Sequence, residues 1–216
     1  MQAYQSAFLN LALQHGVLRF GSFTLKSGRL SPYFFNLGQI DGGAALRALA
    51  GAYADAIEAQ GLSFDVLFGP AYKGIPLVAA LSVVLAERGR DVAFAYNRKE
   101  AKDHGEGGVM VGAPVRGRRV LIVDDVLTAG TALRQSLALL RAAGAEPAAA
   151  LIALDRQERG AHSARSAVAE LAAESGIAVH ALVGVEEILE YLGGADAATA
   201  AAVRAYQARY GVRVAS

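Results

Sequence analysis

The sequence predicts an α/β fold, a parallel sheet with helices on both faces. Short apolar runs alternate with helical patterns of about 10–15 residues, the pattern of βαβ units. Two of those runs, Asp65–Phe68 and Val120–Val123, read as short buried strands. The length of 216 residues suits one domain, and no internal repeat or disordered linker divides it.

The elements follow in order. Tyr4–Gln14 reads as an amphipathic helix, with Phe8, Leu9, Ala12 and Leu13 at helical spacing. Phe20–Leu25 and Pro32–Leu37 read as two strands joined by a turn at Gly28. Ala44–Gln60 places Leu46, Leu49, Tyr53 and Ile57 on one helical face, and Gly61 suits its C-terminal cap. Ile75–Arg88 is a helix with Pro76 near its first turn, where a missing N–H costs least. Val92–Asn97 is a strand. Arg98–Gly108 is charged and Gly-rich, with no apolar residue larger than Ala, which suits a mobile surface loop. Beyond it come a helix over Thr131–Ala143, a strand over Ala148–Leu154, a helix over Ser163–Ser175 and a strand over Ile177–Val183. Val185–Leu192 and Ala197–Tyr210 close the chain as helices.

Composition excludes several classes. The chain has no Cys, so a disulfide scaffold, a thiolate metal site and a Cys nucleophile are ruled out. His15, His162 and His180 lack ligand-like spacing, which disfavours a zinc site. A formal net charge of +1 argues against a nucleic-acid partner. The longest apolar uncharged run, Ile75–Ala86, falls well short of the ~20 residues of a membrane span, so no membrane association is expected. No basic segment opens the chain as in a signal peptide, and a cytoplasmic protein is expected.

Parallel sheets bind ligands at the carboxyl ends of their strands, so the residues after each strand matter most. Val120–Val123 leads into Asp124 and Asp125, then Val126, Leu127, Thr128, Ala129, Gly130, Thr131 and Ala132. Hydroxyls and backbone N–H groups at the start of a helix make a phosphate cradle. Two carboxylates beside an anion site need an intermediary, such as sugar hydroxyls or Mg²⁺. Capping alone would account for one acid there, not two in succession. The chain lacks a Walker A sequence and a GxGxxG after a strand.

Phe68–Pro76 again joins a strand to a helix. Gly69 and Gly74 would allow close backbone approach to a ligand, and Lys73 supplies a point charge. Arg98, Lys99, Lys102 and His104 gather potential cations on the charged loop, which could close over an anionic leaving group. The adjacent Phe34 and Phe35 require one ring to turn from the neighbouring core face. With Lys26 and the distant Arg156 they could hold a flat anionic ring, although spacing alone slightly favours two core rings and a surface Arg156. Lys occurs only at Lys26, Lys73, Lys99 and Lys102.

The run from Val123 to Thr131 resembles the phosphoribosyl-diphosphate (PRPP) motif of type I phosphoribosyltransferases. The segments Phe23–Arg29, Ser31–Asn36, Leu67–Pro76, Asn97–Gly108 and Leu154–Gly160 resemble the orotate phosphoribosyltransferases within that group. The resemblance spans about Tyr4 to Tyr210. It implies a type I phosphoribosyltransferase fold, with an N-terminal hood over residues 1–40 and a core over residues 41–216. It implies transfer of ribose 5-phosphate from PRPP to orotate, giving orotidine 5′-monophosphate and pyrophosphate, with Mg²⁺.

Carried over position by position, Thr128, Ala129, Gly130, Thr131 and Ala132 would bind the 5′-phosphate, and Val126 and Leu127 before them would also belong to the PRPP site. Asp124 and Asp125 would hold the ribose hydroxyls directly or through metal and water. Tyr72, Lys73, Arg98, Lys99, Lys102 and His104 would contact the pyrophosphate end, and Lys26 would touch PRPP as well as orotate. Lys26, Phe34, Phe35, Thr128 and Arg156 would hold orotate. Lys102, His104, Asp124 and Asp125 would act in the chemistry. No direct protein cage for the metal is expected; Mg²⁺ would arrive with PRPP near Asp124 and Asp125. The resemblance further implies a homodimer with shared active sites. The rival readings are a non-catalytic PRPP-sensing regulator and a phosphoribosyltransferase for another base.

Overall fold

A computed structural model describes residues 1–25, 27–102, 108–127, 130–159, 165–193 and 196–212. The chain opens with helix α1 (Ala3–Gln14), followed by the hairpin strands β1 (Leu18–Thr24) and β2 (Leu30–Phe35), a 3₁₀ turn over Leu37–Gln39, and helix α2 (Gly43–Ala59). Then come β3 (Val66–Gly69), α3 (Gly74–Glu87), β4 (Ala93–Lys102), β5 (Gly108–Gly112), β6 (Arg119–Val126), α4 (Thr131–Ala142) and β7 (Glu146–Asp155). The chain closes with α5 (Ala167–Ser175), β8 (Ala178–Gly184), α6 (Val185–Leu192) and α7 (Ala197–Tyr210). Among the described residues no helix is long and apolar enough to cross a membrane.

Six strands form the main sheet in the order β5-β4-β3-β6-β7-β8, and β1 pairs with β2 in a separate sheet. Strands β3, β4, β6, β7 and β8 run parallel, as expected, while β5 is antiparallel to β4. Alternation along the buried strands divides the core. Leu67, Leu121, Val123 and Leu151 face one layer, packed with Phe8 of α1, Leu49 and Tyr53 of α2, Leu81 of α3, Ile188 of α6 and Val203 of α7. Val66, Phe68, Val120 and Ile122 face the other, packed with Leu133, Leu137 and Leu140 of α4 and Leu171 of α5. Each such side chain contributes roughly 1.5–3 kcal/mol by leaving water. Two apolar faces explain why these strands show no polar alternation.

Three expectations need correction. The charged segment is not all loop: Arg98–Lys102 continues β4, and Gly108 begins β5. This ribbon pairs Asn97 with Met110 and Lys102 with Gly108, with a register shift between. The pairing is thus recorded at the two ends of the extension, and the irregularity lies across the residues between them. Residues 103–107 lie outside the described residues. The strand expected to stop at Val123 continues through Val126, so Asp124 and Asp125 are strand residues, with Asp124 opposite Ile152. Helix α5 starts at Ala167 rather than Ser163, because the Ser166 hydroxyl accepts from Ala169 N at 3.1 Å and caps it; residues 163 and 164 lie outside the described residues.

Candidate active site

The carboxyl ends of β3, β4, β6 and β7 converge with the end of the β1–β2 hairpin. The turn after β3 is built from its own glycines. A Cβ on Gly69 would stand 2.2 Å from Gly74 O, and one on Gly74 would stand 2.7 Å from Gly69 C and Pro70 Cδ. The close approach that the sequence suggested for a ligand is thus made by the chain to itself. Asn97 of β4 fixes the turn by accepting from Ala71 N at 3.0 Å. The turn presents Tyr72, 64% exposed, with Lys99 Nζ 4.7 Å from its ring centroid.

Lys73, next in the turn, reaches two other elements. Its Nζ donates to Asp125 Oδ2 at 2.6 Å and to Asn36 Oδ1 at 3.3 Å, just past the hairpin. Asp125 Oδ1 accepts from Val126 N at 2.7 Å, and Asp124 Oδ1 accepts from Asp125 N at 2.9 Å. Asp124 Oδ2 has no hydrogen-bond partner among the described residues. The buried Tyr53 hydroxyl donates to the Asp124 main-chain carbonyl at 2.8 Å, which pins this strand end to α2. Burial first, and the Asp125 charge second, push the Asp124 carboxyl up to about 6; the bond from Asp125 N and the Lys73 charge oppose that rise.

Gly130 holds φ +72° and forms the N-cap of α4 without a side-chain cap. A Cβ there would meet Arg134 Nη1 at 2.9 Å. The first-turn N–H groups of Thr131 and Ala132 thus stand where an anion can meet a helix N-terminus. Val126 and Leu127 are half-buried and pack against the two core layers, so only their backbone is suited to a ligand. A cleft of about 530 Å³ opens between the β3 turn, β4 and α4, lined by Ala71, Asn97, Arg98, Lys99, Ala132 and Gln135 among others.

The hairpin separates its two aromatics. The Phe34 ring lies 5.6 Å from Phe23, with Arg19 Cζ 5.6 Å from each centroid. Phe35 turns inward, 6.2 Å from Phe8, against the main core. One ring thus turns from the core face, as strand alternation requires, and it is Phe34. Arg156, after β7, is not a surface residue: its side chain is 13% exposed and lies 4.2 Å from the Tyr33 ring centroid. It donates to Ser31 Oγ at 3.1 Å, across to the hairpin. The expectations for Lys26, His104, Thr128 and Ala129 lie outside the described residues. Lys102 is described only as the last residue of β4.

Residues 38–187 match the family model described as a phosphoribosyl transferase domain. Curated relatives named orotate phosphoribosyltransferase include that of Xanthomonas axonopodis pv. citri (strain 306), 57% identical with 98% of each chain covered. That of Stenotrophomonas maltophilia (strain K279a) is 53% identical with 99% of each covered. This chain belongs to the orotate phosphoribosyltransferase family. The solved orotate phosphoribosyltransferase of Francisella tularensis is 44% identical, with a TM-score of 0.87 over 94% of this chain and 98% of that one. Membership makes the chain an enzyme of the pentosyltransferase class.

Reading the sequence missed Asn36, Tyr53 and Asn97 as supports of the family's site. Asn97 had a usable signal, an amide at the carboxyl end of the strand expected over Val92–Asn97; Asn36, past the separate hairpin, had none. Tyr53 had none; its position in a helical apolar stripe marked it only as core.

Proposed function

We propose that this chain transfers ribose 5-phosphate from PRPP to N1 of orotate, giving orotidine 5′-monophosphate and pyrophosphate, in pyrimidine nucleotide synthesis. The observation that carries the reading is the Lys73–Asp125 pair, set between the Gly130 start of α4 and the Arg156 side chain under the hairpin. An anion-binding helix end, a dicarboxylate, a cation paired with it and a buried guanidinium fit the parts of the reaction in that order. The α4 N-terminus with Thr128–Ala132 takes the 5′-phosphate. Asp124 and Asp125 face the ribose, where positive charge grows as its C1 bond breaks. Tyr72, Lys73, Arg98, Lys99, Lys102 and His104 take the leaving pyrophosphate, where negative charge grows. Lys26, Phe34, Phe35, Thr128 and Arg156 hold orotate, Phe35 lying on the same face of its strand as the Ser31 and Tyr33 that Arg156 meets.

The donor set suits Mg²⁺ carried by the diphosphate. Among the described residues no group of three His, Cys, Asp or Glu forms a metal cage. The Asp124 and Asp125 carboxylates, with one Asp124 oxygen unpartnered among the described residues, could receive an ion already bound to PRPP. Such an ion neutralises charge on the leaving diphosphate.

A homodimer with shared sites has support on α3. Its residues Pro76, Val83 and Ala86 are exposed, with Val83 at 58%, and form an apolar stripe beside the exposed Tyr72. Pairing that stripe with its copy would place the Tyr72–Lys73 turns of the two chains at one interface. Residues 1–40 serve as the hood and 41–216 as the core, and the enzyme works in the cytoplasm. Incubation with PRPP, Mg²⁺ and orotate should yield one pyrophosphate per orotidine 5′-monophosphate. Failure to form either product would overturn the reading.

A further inference from the structure

We infer that Glu158 is a positioning residue that fixes the Arg156 guanidinium for the orotate carboxylate. The inference deepens the proposed function and rests on its placement of Arg156. Arg156 Nε and Nη2 both reach Glu158 Oε1, at 2.7 and 2.6 Å. Nη2 also reaches Ser31 Oγ, and the guanidinium plane is set against Tyr33. The Nε/Nη2 edge is therefore occupied by protein. The buried Tyr206 hydroxyl lies beside both side chains without a bond of full hydrogen-bond geometry, and among the described residues Nη1 makes no such bond either, so it is the nitrogen left to offer an anion.

Glu158 is itself held from a second side. Arg29 Nη1 lies 3.3 Å from Glu158 Oε2, and Arg29 Nη2 donates to Arg159 O at 3.1 Å. Both carboxylate oxygens are thus committed, and the Arg156 and Glu158 side chains are each 13% exposed. Two guanidinia share the Glu158 carboxylate, so that trio has a net charge of +1, with the Asp155 carboxylate near Tyr33 as a further charge of the neighbourhood. Buried charge is stable when paired, so the surplus favours an arriving carboxylate. A chelating Arg–carboxylate contact also removes the rotamer freedom that a long side chain would lose on binding, which is preorganisation of the site.

The test is a two-residue cycle on the full chain, reading KM for orotate and for PRPP separately. Glu158→Gln keeps the shape and removes the charge; it should raise the orotate KM on the order of tenfold while the PRPP KM stays within about twofold. Arg156→Ala should raise the orotate KM at least as much. In the Arg156→Ala background, Glu158→Gln should add less than about twofold, because the residue it positions is gone. A rise in both KM values alike with Glu158→Gln, or a fully additive double variant, would overturn the positioning role. So would an unchanged orotate KM in Glu158→Gln while Arg156→Ala raises it. An unchanged orotate KM in Arg156→Ala would instead overturn the placement of Arg156. If Glu158→Gln does not fold, Glu158→Asp retains the charge at a shorter reach, and the same split should appear at smaller size.

Discussion

Lys73 and Asp125 form an ion pair of 2.6 Å that joins the turn after β3 to the end of β6, although the lysine side chain is 54% exposed. An exposed pair of this kind contributes about 0–1 kcal/mol to stability. Its use lies in holding a cation ready beside the dicarboxylate. In the proposed reaction Lys73 exchanges Asp125 for a pyrophosphate oxygen. Lys73→Met should therefore change unfolding free energy by less than ~1 kcal/mol yet raise the PRPP KM on the order of tenfold or more. Urea unfolding and steady-state kinetics on one preparation separate the two effects.

Asp124 works against stability in the free enzyme. Its carboxyl lies at about 6 in the folded chain, above the ordinary value near 3.9. Between those values the native state binds more protons than the unfolded chain. Stability from this group is greatest below about pH 4, is lost as pH rises towards 6, and stays lost above it. Asp124→Asn removes that penalty while keeping an oxygen to accept from Asp125 N. The unliganded variant should be stabilised at pH 7 by roughly 1–2 kcal/mol, with little change near pH 4. Its turnover should fall. Denaturant melts at both pH values check the sign.

The reciprocal packing of Gly69 and Gly74 leaves no room for a methyl group. Gly69→Ala would place Cβ 2.2 Å from the Gly74 carbonyl oxygen. Overpacking of backbone on backbone should cost roughly 1–3 kcal/mol and shift the turn that carries Tyr72 and Lys73. The PRPP KM should rise with the loss of stability. A variant with wild-type melting temperature and kinetics would show that the turn needs no such contact.

The fold was legible because the buried strands are continuous apolar runs and α2 and α4 carry clear stripes, so β3, β6, β7 and their helices could be read directly. The Arg98–Lys102 extension was not, because its backbone pairing with β5 leaves no trace in side chains that need not be buried. At the site, the motif at Asp124–Thr131 and the turn at Lys73 were readable as strand–loop–helix segments. Long-range pairings were not: Tyr53 with the Asp124 carbonyl and Lys73 with Asn36 join residues whose spacing carries no period. The inward turn of Phe35 follows from strand alternation, but which of the two rings faces the core depends on α1, which only the tertiary structure brings to the hairpin.

Shared sites have their own signature. Lys102→Ala should lower turnover by far more than about threefold if its charge has the proposed role of meeting the pyrophosphate as it leaves. Asp125→Asn should be similarly impaired. When the two are mixed and their subunits exchanged, about half the dimers are mixed, and each mixed dimer carries one intact site. Activity should return towards roughly a quarter of the wild-type level. Mixtures that exchange subunits and stay inactive would place the Arg98–Gly108 segment over its own chain's site.

Base choice tests the account most directly, because it depends at once on the PRPP end and on the hairpin with Arg156. The measurement is the initial rate of base consumption, followed by absorbance with PRPP and Mg²⁺, for orotate against adenine, guanine and uracil. The account predicts rapid loss of orotate and no measurable reaction of the other three, since none carries the carboxylate that the proposed roles of Arg156 and Lys26 require. Equal use of a purine or of uracil would contradict it, and PRPP binding without consumption of any base would show a sensor in place of an enzyme.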